Sequence, residues 1–405
     1  MIIRLLLFVS LGFGANYFQS NSSKLLNNLN IPDTLRLVGV MAQFPQEVPD
    51  NPKTSGNGEF LGSNVEEYNL FYDSFTPRCD GFLVDRPPHN SNYFQKQLEA
   101  VGNYFYTISG SQLPYTAKVI NNSSSPINGY YTVPDSMEFY AKSDTLLAEF
   151  FSEVLDLAKN DIEEFLNQQN TSSNEVVFIV FHAGLGQDFA LPGFDPTIYD
   201  LKSAYIDDEM MAGVTPTEIL GNSIRTGILL PETQNMIYYD IVEDIFGNPD
   251  YDTHDLCDIQ VGLTGIFAFL LGYELGLPPL FNTESGDPGV GFFGLMDHGS
   301  NNGRGVIPAP PSPWTRSLLP EEWSIFESIS PFQSIDTTIY IYTLDSLNTV
   351  FKIKISEDEY FLIENRNNWV TYKTDIDSLR RKNRIDEDRI GHWFDSVVDE
   401  FTPTQ

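Results

Sequence analysis

A nearly continuous apolar run in the middle of the chain constrains its fold more than any other segment. The run extends from Glu175 to Phe181 and reads EVVFIVF. A strand of this kind has to be covered on both faces of its sheet, because it has no polar face to turn toward water. The segment from Leu35 to Phe44, LRLVGVMAQF, predicts a second buried strand of the same character.

Two helices are predicted between these strands. The first covers Ser91 to Ser109, where Phe94, Leu98, Val101 and Phe105 recur about one turn apart. The second follows Ser143, a residue type that caps helix N-termini. Its apolar stripe consists of Leu147, Phe151, Val154, Ala158, Ile162 and Phe165.

The remaining segments complete the fold prediction. Residues 45–65 are rich in Pro, Asn, Gly and Ser and predict a loop, while residues 114–135 contain the strand-like YTAKVI and the turn-rich NNSSSPING. The segment from Cys257 to Gly276 is long and apolar and lacks an internal proline, which predicts a buried helix that ends at Gly276. The order of elements predicts an α+β fold with α/β layers, in which helices pack on a mixed sheet.

A β-rich C-terminal part is predicted after residue 330. Thr337 to Thr343, Thr349 to Ile355 and Tyr360 to Glu364 alternate like antiparallel strands. Residues 282–313, which precede this part, form an irregular segment rich in Gly, Pro and Asn. Its length is typical of a functional loop or of one that has lost its function.

The first 15 residues have the pattern of a signal peptide. Arg4 provides a positive charge, Leu5 to Phe13 form a short apolar run, and the small residues Gly14 and Ala15 follow. A buried N-terminal strand is the alternative. The run is too short to span a bilayer, and no later segment has about 18 uninterrupted apolar residues. We therefore expect an exported protein without a transmembrane segment, whose mature chain starts with residues 16–34.

Composition excludes several classes of protein. The 405 residues include 56 acidic and 23 basic side chains, which give a formal charge of -33. Such a chain repels phosphate backbones, so we expect no nucleic-acid partner. Cys79 and Cys257 are too few for a disulfide scaffold or a four-thiolate zinc site, and they either pair with each other or remain free thiols. The acidity itself identifies no partner and leaves the oligomeric state open.

The most informative pattern lies in the apolar helix and the loop after it. Zinc peptidases carry a helix of the form HExxHxxGxxH or HExxHxxGxxD, in which the histidines and the last residue bind zinc and the glutamate activates a water. A later turn that contains a methionine underlies the site. In this chain, FLLGYELGLPPLF from Phe269 to Phe281 has that spacing, and GFFGLMDHGS from Gly291 to Ser300 follows.

These segments resemble the immune inhibitor A-like secreted metallopeptidases. That family's helix typically reads HEFGHxLGLPDLYD, and its later segment reads GxWDLMSGGS. Phe181 to Gly184 resembles the family's FHAG, Pro231 to Thr233 its PET segment, and Glu359 to Arg366 its EYFLIENR strand. The resemblance covers roughly residues 35 to 370. It implies a zincin-like peptidase domain over residues 35–330 and a small β-rich part over 331–405. Further C-terminal modules occur in the family, so the sequence leaves open whether residue 405 is the native C-terminus.

The chain departs from the family at the residues that carry the chemistry. Phe269 and Tyr273 occupy the two histidine positions, Leu270 the glutamate position and Pro279 the position of the third ligand. The surrounding Gly272, Gly276 and Met296 are retained. Phe, Leu and Pro have no side-chain lone pair for zinc, and Tyr binds a metal only as a phenolate.

We therefore predict a pseudopeptidase without catalytic residues, without a zinc site and without a bound cofactor, which binds a peptide or a protein through a residual cleft. An active zinc endopeptidase with unusual ligands is one alternative. A structural or surface-interaction module is the other.

Four residues near the expected cleft are further candidates for a catalytic or metal-binding role. Glu274 is a candidate displaced base, although one position along a helix rotates it by about 100°. Asp297 and His298 form a candidate metal-binding pair, and an exposed turn is the simpler interpretation. His182 ends a buried strand at the expected cleft edge, and a structural, hydrogen-bonded histidine is the alternative.

The oxygen-rich segment from Asn282 to Asp287 is a candidate calcium loop, although it lacks the EF-hand spacing. His89, His254 and His392 have no ligand-like spacing. The absence of GxSxG, P-loop and GxGxxG patterns gives no support to an esterase elbow or to nucleotide binding.

Overall fold

The computed structural model describes two units of the chain. The described residues are 29, 31–62, 84–85, 87–125, 129–189, 197–234, 261–329, 340, 349–356 and 359–366. The first unit comprises residues 1–104 and 114–309, and the second comprises residues 105–113 and 310–405. The predicted signal peptide, both cysteines, His254, His392 and all of the predicted strand 337–343 except Tyr340 lie outside the described residues.

A six-stranded mixed sheet forms the centre of the first unit. Its strands are β1 (Leu35–Gln43), β2 (Tyr115–Ile120), β3 (Tyr131–Thr132), β4 (Val177–Leu185), β5 (Ala204–Ile206) and β8 (Gly227–Thr233). The order is β2-β1-β4-β8-β5, and β3 also pairs with β1. All pairs are parallel except β5 with β8. A separate hairpin joins β6 (Glu218–Ile219) to β7 (Asn222–Ser223).

Helices cover both faces of this sheet. They are α1 (Ser91–Ile108), α2 (Met137–Tyr140), α3 (Asp144–Gln169) and α4 (Leu263–Glu274). The ring of Phe181 in β4 lies 4.6 Å from Phe94 of α1 and 6.1 Å from Phe267 of α4. The next residue, His182, faces Phe150 of α3. Because neighbouring strand residues point to opposite faces, α1 and α4 lie on one face and α3 on the other.

These elements confirm the prediction of a layered fold with a mixed sheet. All nine residues of β4 are buried, as the run of apolar residues requires. The Ser143 hydroxyl accepts a hydrogen bond from the amide of Leu146 at 3.2 Å and caps α3, as predicted. The predicted apolar stripe of α3 is buried up to Ile162, whereas Phe165 is half-buried and Leu166 takes its place in the core.

The second unit contains a three-stranded sheet with the order β11-β10-β9. Its strands are β9 (Ile325–Ile329), β10 (Thr349–Lys354) and β11 (Tyr360–Ile363). The pair β10–β11 is antiparallel, as predicted for these two segments. Strand β9, which was not predicted, runs parallel to β10.

A charged cluster links β11 to α5 (Pro313–Arg316) within the second unit. Arg316 lies 2.6 Å from Glu364, and Arg366 lies 2.5 Å from the other oxygen of the same carboxylate. Arg366 also donates to the carbonyl of Pro311 at 3.1 Å. The charged residues of the EYFLIENR segment thus hold a proline-rich loop and a short helix against a strand.

None of the helices in the described ranges is long and apolar enough to cross a lipid bilayer.

Candidate functional site

Helix α4 carries the sequence that resembles the peptidase motif, and hydrogen bonds anchor it at both ends. At its start, the amide of Leu263 donates to the Asp85 carboxylate at 2.9 Å. At its end, Gly276 has a φ of 82°, and the amides of Gly276 and Leu277 donate to the carbonyls of Tyr273 and Gly272. This pair of bonds is a Schellman motif, which favours glycine because the chain turns through the left-handed region. The predicted C-terminus is therefore confirmed, whereas the described residues before Leu263 are not helical.

The methionine turn lies directly against α4. A Cβ atom added to Gly272 would approach Met296 Sδ to 2.5 Å, so any side chain at this position would displace the methionine. Met296 is fully buried, and its carbonyl accepts a hydrogen bond from the Leu280 amide at 2.8 Å. Gly272 and Met296 therefore share one role, which is close packing of the turn against the helix.

The positions that would hold zinc are filled with aromatic and aliphatic side chains. Phe269 is 5% exposed, Tyr273 is 3% exposed and Leu270 is fully buried, while Pro279 is half-buried. The rings of Phe269 and Tyr273 meet edge to face at 5.0 Å, and Phe281 lies 6.2 Å from Phe269. Tyr205 of β5 stacks on Tyr273 at 6.2 Å. We call these four rings the aromatic plug: Tyr205, Phe269, Tyr273 and Phe281.

Tyr273 is the only ionisable residue of the plug at one of the two histidine positions, and burial decides its protonation state. Burial raises the pKa of Tyr273 above its ordinary value of 10. Its phenol therefore stays protonated at neutral pH, and the phenolate that could bind a metal is disfavoured. Phe269, Leu270 and Tyr273 therefore do not fit a zinc ion.

Asp297 has a structural role that the sequence analysis did not foresee. Its Oδ2 atom accepts hydrogen bonds from the amides of Gly289, Val290 and Gly291 at 2.7–2.9 Å, and its Oδ1 accepts from the amide of His298. Asp297 is 2% exposed. The interpretation as an exposed turn is therefore wrong for Asp297, because its carboxylate is a buried anchor for the preceding loop. His298 is half-buried and packs 6.0 Å from Phe292.

Glu274 lies at the end of α4, beyond the aromatic plug. Burial raises the pKa of its carboxyl group, and the hydroxyls of Tyr205 and Thr226 oppose this shift. The Oε2 atom is buried without a hydrogen-bond partner among the residues described. Glu274 remains a lone carboxyl group there, without a metal ligand or a histidine beside it to complete a catalytic pair.

His182 lies on the face of the sheet opposite to α4. Its ring is fully buried, 6.3 Å from Phe44 and 6.4 Å from Phe150. Nδ1 donates to the carbonyl of Ala183 at 2.9 Å. The expectation that His182 faces the cleft edge is wrong, because strand alternation turns it toward α3. The alternative, a structural histidine, fits this position.

The candidate calcium loop is closed by its own hydrogen bonds. Asn282 Oδ1 accepts from the amides of Glu284 and Ser285, and the Ser285 hydroxyl donates to Asp287 at 2.6 Å. Across the described part of the chain, no group of three or more His, Cys, Asp or Glu side chains could hold a metal ion.

A buried ion pair between His89 and Glu232 escaped the sequence analysis. His89 Nδ1 lies 2.6 Å from Glu232 Oε1, and both side chains are fully buried. The same carboxylate accepts hydrogen bonds from the amides of Leu61 at 2.7 Å and Gly184 at 3.0 Å. The FHAG and PET segments are thus joined by one carboxylate. An acidic residue inside the apolar strand GILLPET was the only sequence signal, and nothing indicated which histidine would pair with it.

An apolar surface extends beside the methionine turn. It consists of Val290, Phe292, Phe293, Val306 and Ile307, of which Phe293 is the most exposed at 70%. Asn302 connects its two parts, because its side-chain amide donates to the carbonyl of Phe292 and its own carbonyl accepts from the amide of Ile307. The hydrogen bonds that Asp297 accepts from backbone amides fix the start of this loop. The backbone of the apolar surface is therefore held in place.

A polar cavity lies away from α4. This polar groove of about 460 Å³ is lined by residues that include Gln43, Asn122, Thr132, Asn160 and Asp161. Its lining is contributed by the ends of β1 and β3, the loop after β2 and the middle of α3, and it contains no residue of the motif helix.

Comparison with known proteins gives no family assignment: the chain matches no protein-family model and no curated protein sequence.

We expect Phe269→Ala to lower the free energy of unfolding by about 3–5 kcal/mol, because it opens a cavity in the aromatic plug. Phe293→Ala is the matched control, since this ring is largely exposed, and we expect it to change stability by less than about 0.5 kcal/mol. Urea denaturation monitored by circular dichroism measures both. Equal, small effects of the two substitutions would contradict the plug.

We expect His182 to make the protein less stable in mild acid. Burial lowers its pKa from 6.5 to about 4, so between these two values the unfolded chain binds the proton and the folded chain does not. The stability that depends on a neutral His182 is complete above pH 6.5 and is lost as the pH falls toward 4. The loss amounts to roughly 3 kcal/mol.

The measurement is urea denaturation at several pH values within that window. His182→Gln is expected to flatten the pH dependence of the unfolding free energy relative to the natural protein. His298→Gln is the control and leaves His182 in place, so it should keep the natural slope. A His182→Gln profile parallel to that of the natural protein would show that His182 is not buried in its neutral form.

Proposed function

We propose that this protein is an exported pseudopeptidase: a zincin-like scaffold that no longer hydrolyses peptides and that binds a polypeptide partner instead. The observation that carries the proposal is the aromatic plug. Phe269, Leu270 and Tyr273 stand where the resemblance to immune inhibitor A-like peptidases requires two ligands and a base, and all three are buried in apolar surroundings.

The chemistry of the available residues supports the loss of hydrolysis. Hydrolysis of this kind needs a Lewis acid and a carboxylate that activates the attacking water. Leu270 cannot act as a base, and the buried phenol of Tyr273 is held in its neutral form. The nearby Asp297 is committed to backbone amides, and His182 lies on the other face of the sheet. None of these side chains can take over the missing roles.

The zincin-like part of the proposal rests on the packing of α4. Gly272 and Met296 are in contact, and Gly276 ends the helix in a left-handed turn. Both features are those that the resemblance implies for a peptidase of this type. Met296 packs at Gly272, which lies between the two positions where the resemblance would put histidine ligands.

A polypeptide partner is favoured by the apolar surface. Exposed phenylalanine rings on a loop whose backbone is held by hydrogen bonds are typical of binding surfaces, because exposing such rings to water costs free energy. The formal charge of -33 identifies no partner by itself, but it repels anionic membranes and attracts cations. Taken together with the apolar surface, it leads us to propose a partner segment that combines apolar side chains with Lys or Arg.

The loss of the zinc site is tested by metal analysis and by a protease assay. We expect the purified protein to retain no stoichiometric zinc after incubation with zinc chloride and gel filtration, and to leave unfolded casein intact. Stoichiometric zinc together with chelator-sensitive cleavage of casein would refute the proposal and favour the active peptidase.

A matched variant shows whether the proposed frame is right. Phe269→His, Leu270→Glu, Tyr273→His and Pro279→Asp together restore the motif, and we expect this variant to bind zinc. Because Leu270→Glu places a carboxylate in the core, the variant Phe269→His and Tyr273→His is measured in parallel, with circular dichroism to check folding. Folded variants that bind no zinc would contradict the alignment of α4 with the peptidase motif.

Binding to the apolar surface is tested with fluorescein-labelled peptides. We expect a peptide of alternating Lys and Leu to bind, and the double variant Phe292→Ser, Phe293→Ser to weaken its affinity at least about tenfold, because two rings lose their contacts. Val48→Ser is the control, since Val48 is 81% exposed elsewhere in the first unit. Anisotropy at low and high salt measures the affinity.

Two outcomes would overturn this assignment of the partner. Equal binding of a Glu and Leu peptide would remove the argument from charge. Binding of phosphatidylcholine vesicles without binding of the Lys and Leu peptide would replace the polypeptide partner with a lipid surface.

A further inference from the structure

The pattern Asn-x-Ser/Thr, in which x is not proline, occurs at Asn21, Asn121, Asn122 and Asn170. This pattern is the acceptor sequence for N-linked glycans in secreted proteins. Asn21 lies outside the described residues; in the first unit, Asn121 and Asn122 lie in the loop after β2, and Asn170 lies in a turn. The three described asparagines differ in the exposure of their side chains and in their hydrogen bonds.

Asn170 ends α3 in a conformation that leaves its side chain in water. Its φ of 52° and ψ of 43° are in the left-handed region, which asparagine tolerates better than most residues. The backbone amide is held by the carbonyls of Leu166 and Asn167, whereas the residue as a whole is exposed. No hydrogen bond of its side-chain amide to another described residue is found, so a substituent on Nδ2 would disturb no contact of the described fold.

Asn121 and Asn122 have overlapping acceptor sequences and opposite environments. Asn122 is half-buried; its Nδ2 donates to the carbonyl of Tyr130 at 3.0 Å, and its Oδ1 accepts from the amide of Ser124 at 2.9 Å. It also lines the polar groove. Asn121 is exposed, and its side-chain amide makes no hydrogen bond within the described part of the chain. A glycan on Asn122 would crowd the turn that these bonds close, whereas one on Asn121 would extend into solvent.

We propose that Asn121 and Asn170 are sites of N-linked glycosylation and that Asn122 is not. The inference rests on the proposed export, because the modification takes place in a secretory pathway. In the transfer, Nδ2 of the asparagine forms a bond to the anomeric carbon of an oligosaccharide carried on a polyprenyl pyrophosphate. The bond from that carbon to the pyrophosphate oxygen breaks, Nδ2 loses one proton, and the lipid pyrophosphate leaves.

The test uses the full chain with Asn21→Gln, secreted from a eukaryotic cell line behind a leader of known function. The intact mass and the peptide map are recorded before and after treatment with peptide N-glycosidase F, which converts each glycosylated Asn to Asp. We expect glycans on Asn121 and Asn170, and an unmodified Asn122. An unglycosylated secreted chain, or a glycan on Asn122 in place of Asn121, overturns the inference.

Serine substitutions separate the overlapping sequences without touching either asparagine. Ser123→Ala removes only the Asn121 sequence, Ser124→Ala only the Asn122 sequence, and Ser172→Ala only that of Asn170. We expect Ser123→Ala and Ser172→Ala each to lose one glycan and Ser124→Ala to lose none. Asn174→Gln, an exposed asparagine outside any such sequence, is the control and should lose none. Loss on Ser124→Ala, or retention on Ser123→Ala, contradicts the assignment.

A second arm keeps the chain's own first residues in place of the foreign leader. Failure of secretion in this arm alone would refute the proposed export and leave the glycosylation sites supported. Loss of the glycans in both arms, with the protein secreted, would refute the sites and leave export supported.

Discussion

The buried carboxylate of Glu232 is the interaction on which the arrangement of the central sheet depends. A charge removed from water costs several kcal/mol unless it is paired and hydrogen-bonded. Glu232 meets this requirement through His89 and through the amides of Leu61 and Gly184. Both ring nitrogens of His89 face oxygen atoms, since Nε2 lies 3.0 Å from the carbonyl of Asp85. One ion pair therefore ties together the ends of β4 and β8, the loop at Leu61 and the start of α1.

This ion pair gives a structural role to the segments that resemble the peptidase family. Gly184 has a φ of 90°, and its amide donates a hydrogen bond to Glu232. The FHAG and PET segments therefore stabilise the sheet. Gly272 makes room for Met296, and Asp297 binds the amides of Gly289 to Gly291. Each of these residues would destabilise the fold if it were replaced, whatever the chain does chemically.

Periodicity in the sequence was sufficient to predict β1, β4, α1 and α3, because each has a strong local signal of length, alternation or capping. It could not predict which face of β4 a side chain occupies, and His182 was therefore placed on the wrong side. Nor could it find β9, whose five residues IFESI have a weak pattern and gain their structure from pairing with β10. The partners of Glu232 and Asp297 are long-range or backbone contacts, which no local pattern encodes.

Burial of the aromatic plug stabilises the fold, whereas exposure of the rings of the apolar surface to water costs free energy. Histidines and a glutamate at the positions of Phe269, Leu270 and Tyr273 would carry a desolvation cost that these three side chains avoid. Burial of each of these side chains is worth about 1.5–3 kcal/mol. Phe292 and Phe293, in contrast, remain 42% and 70% exposed. Exposed rings of this size are typical of binding surfaces, which supports the proposed polypeptide partner.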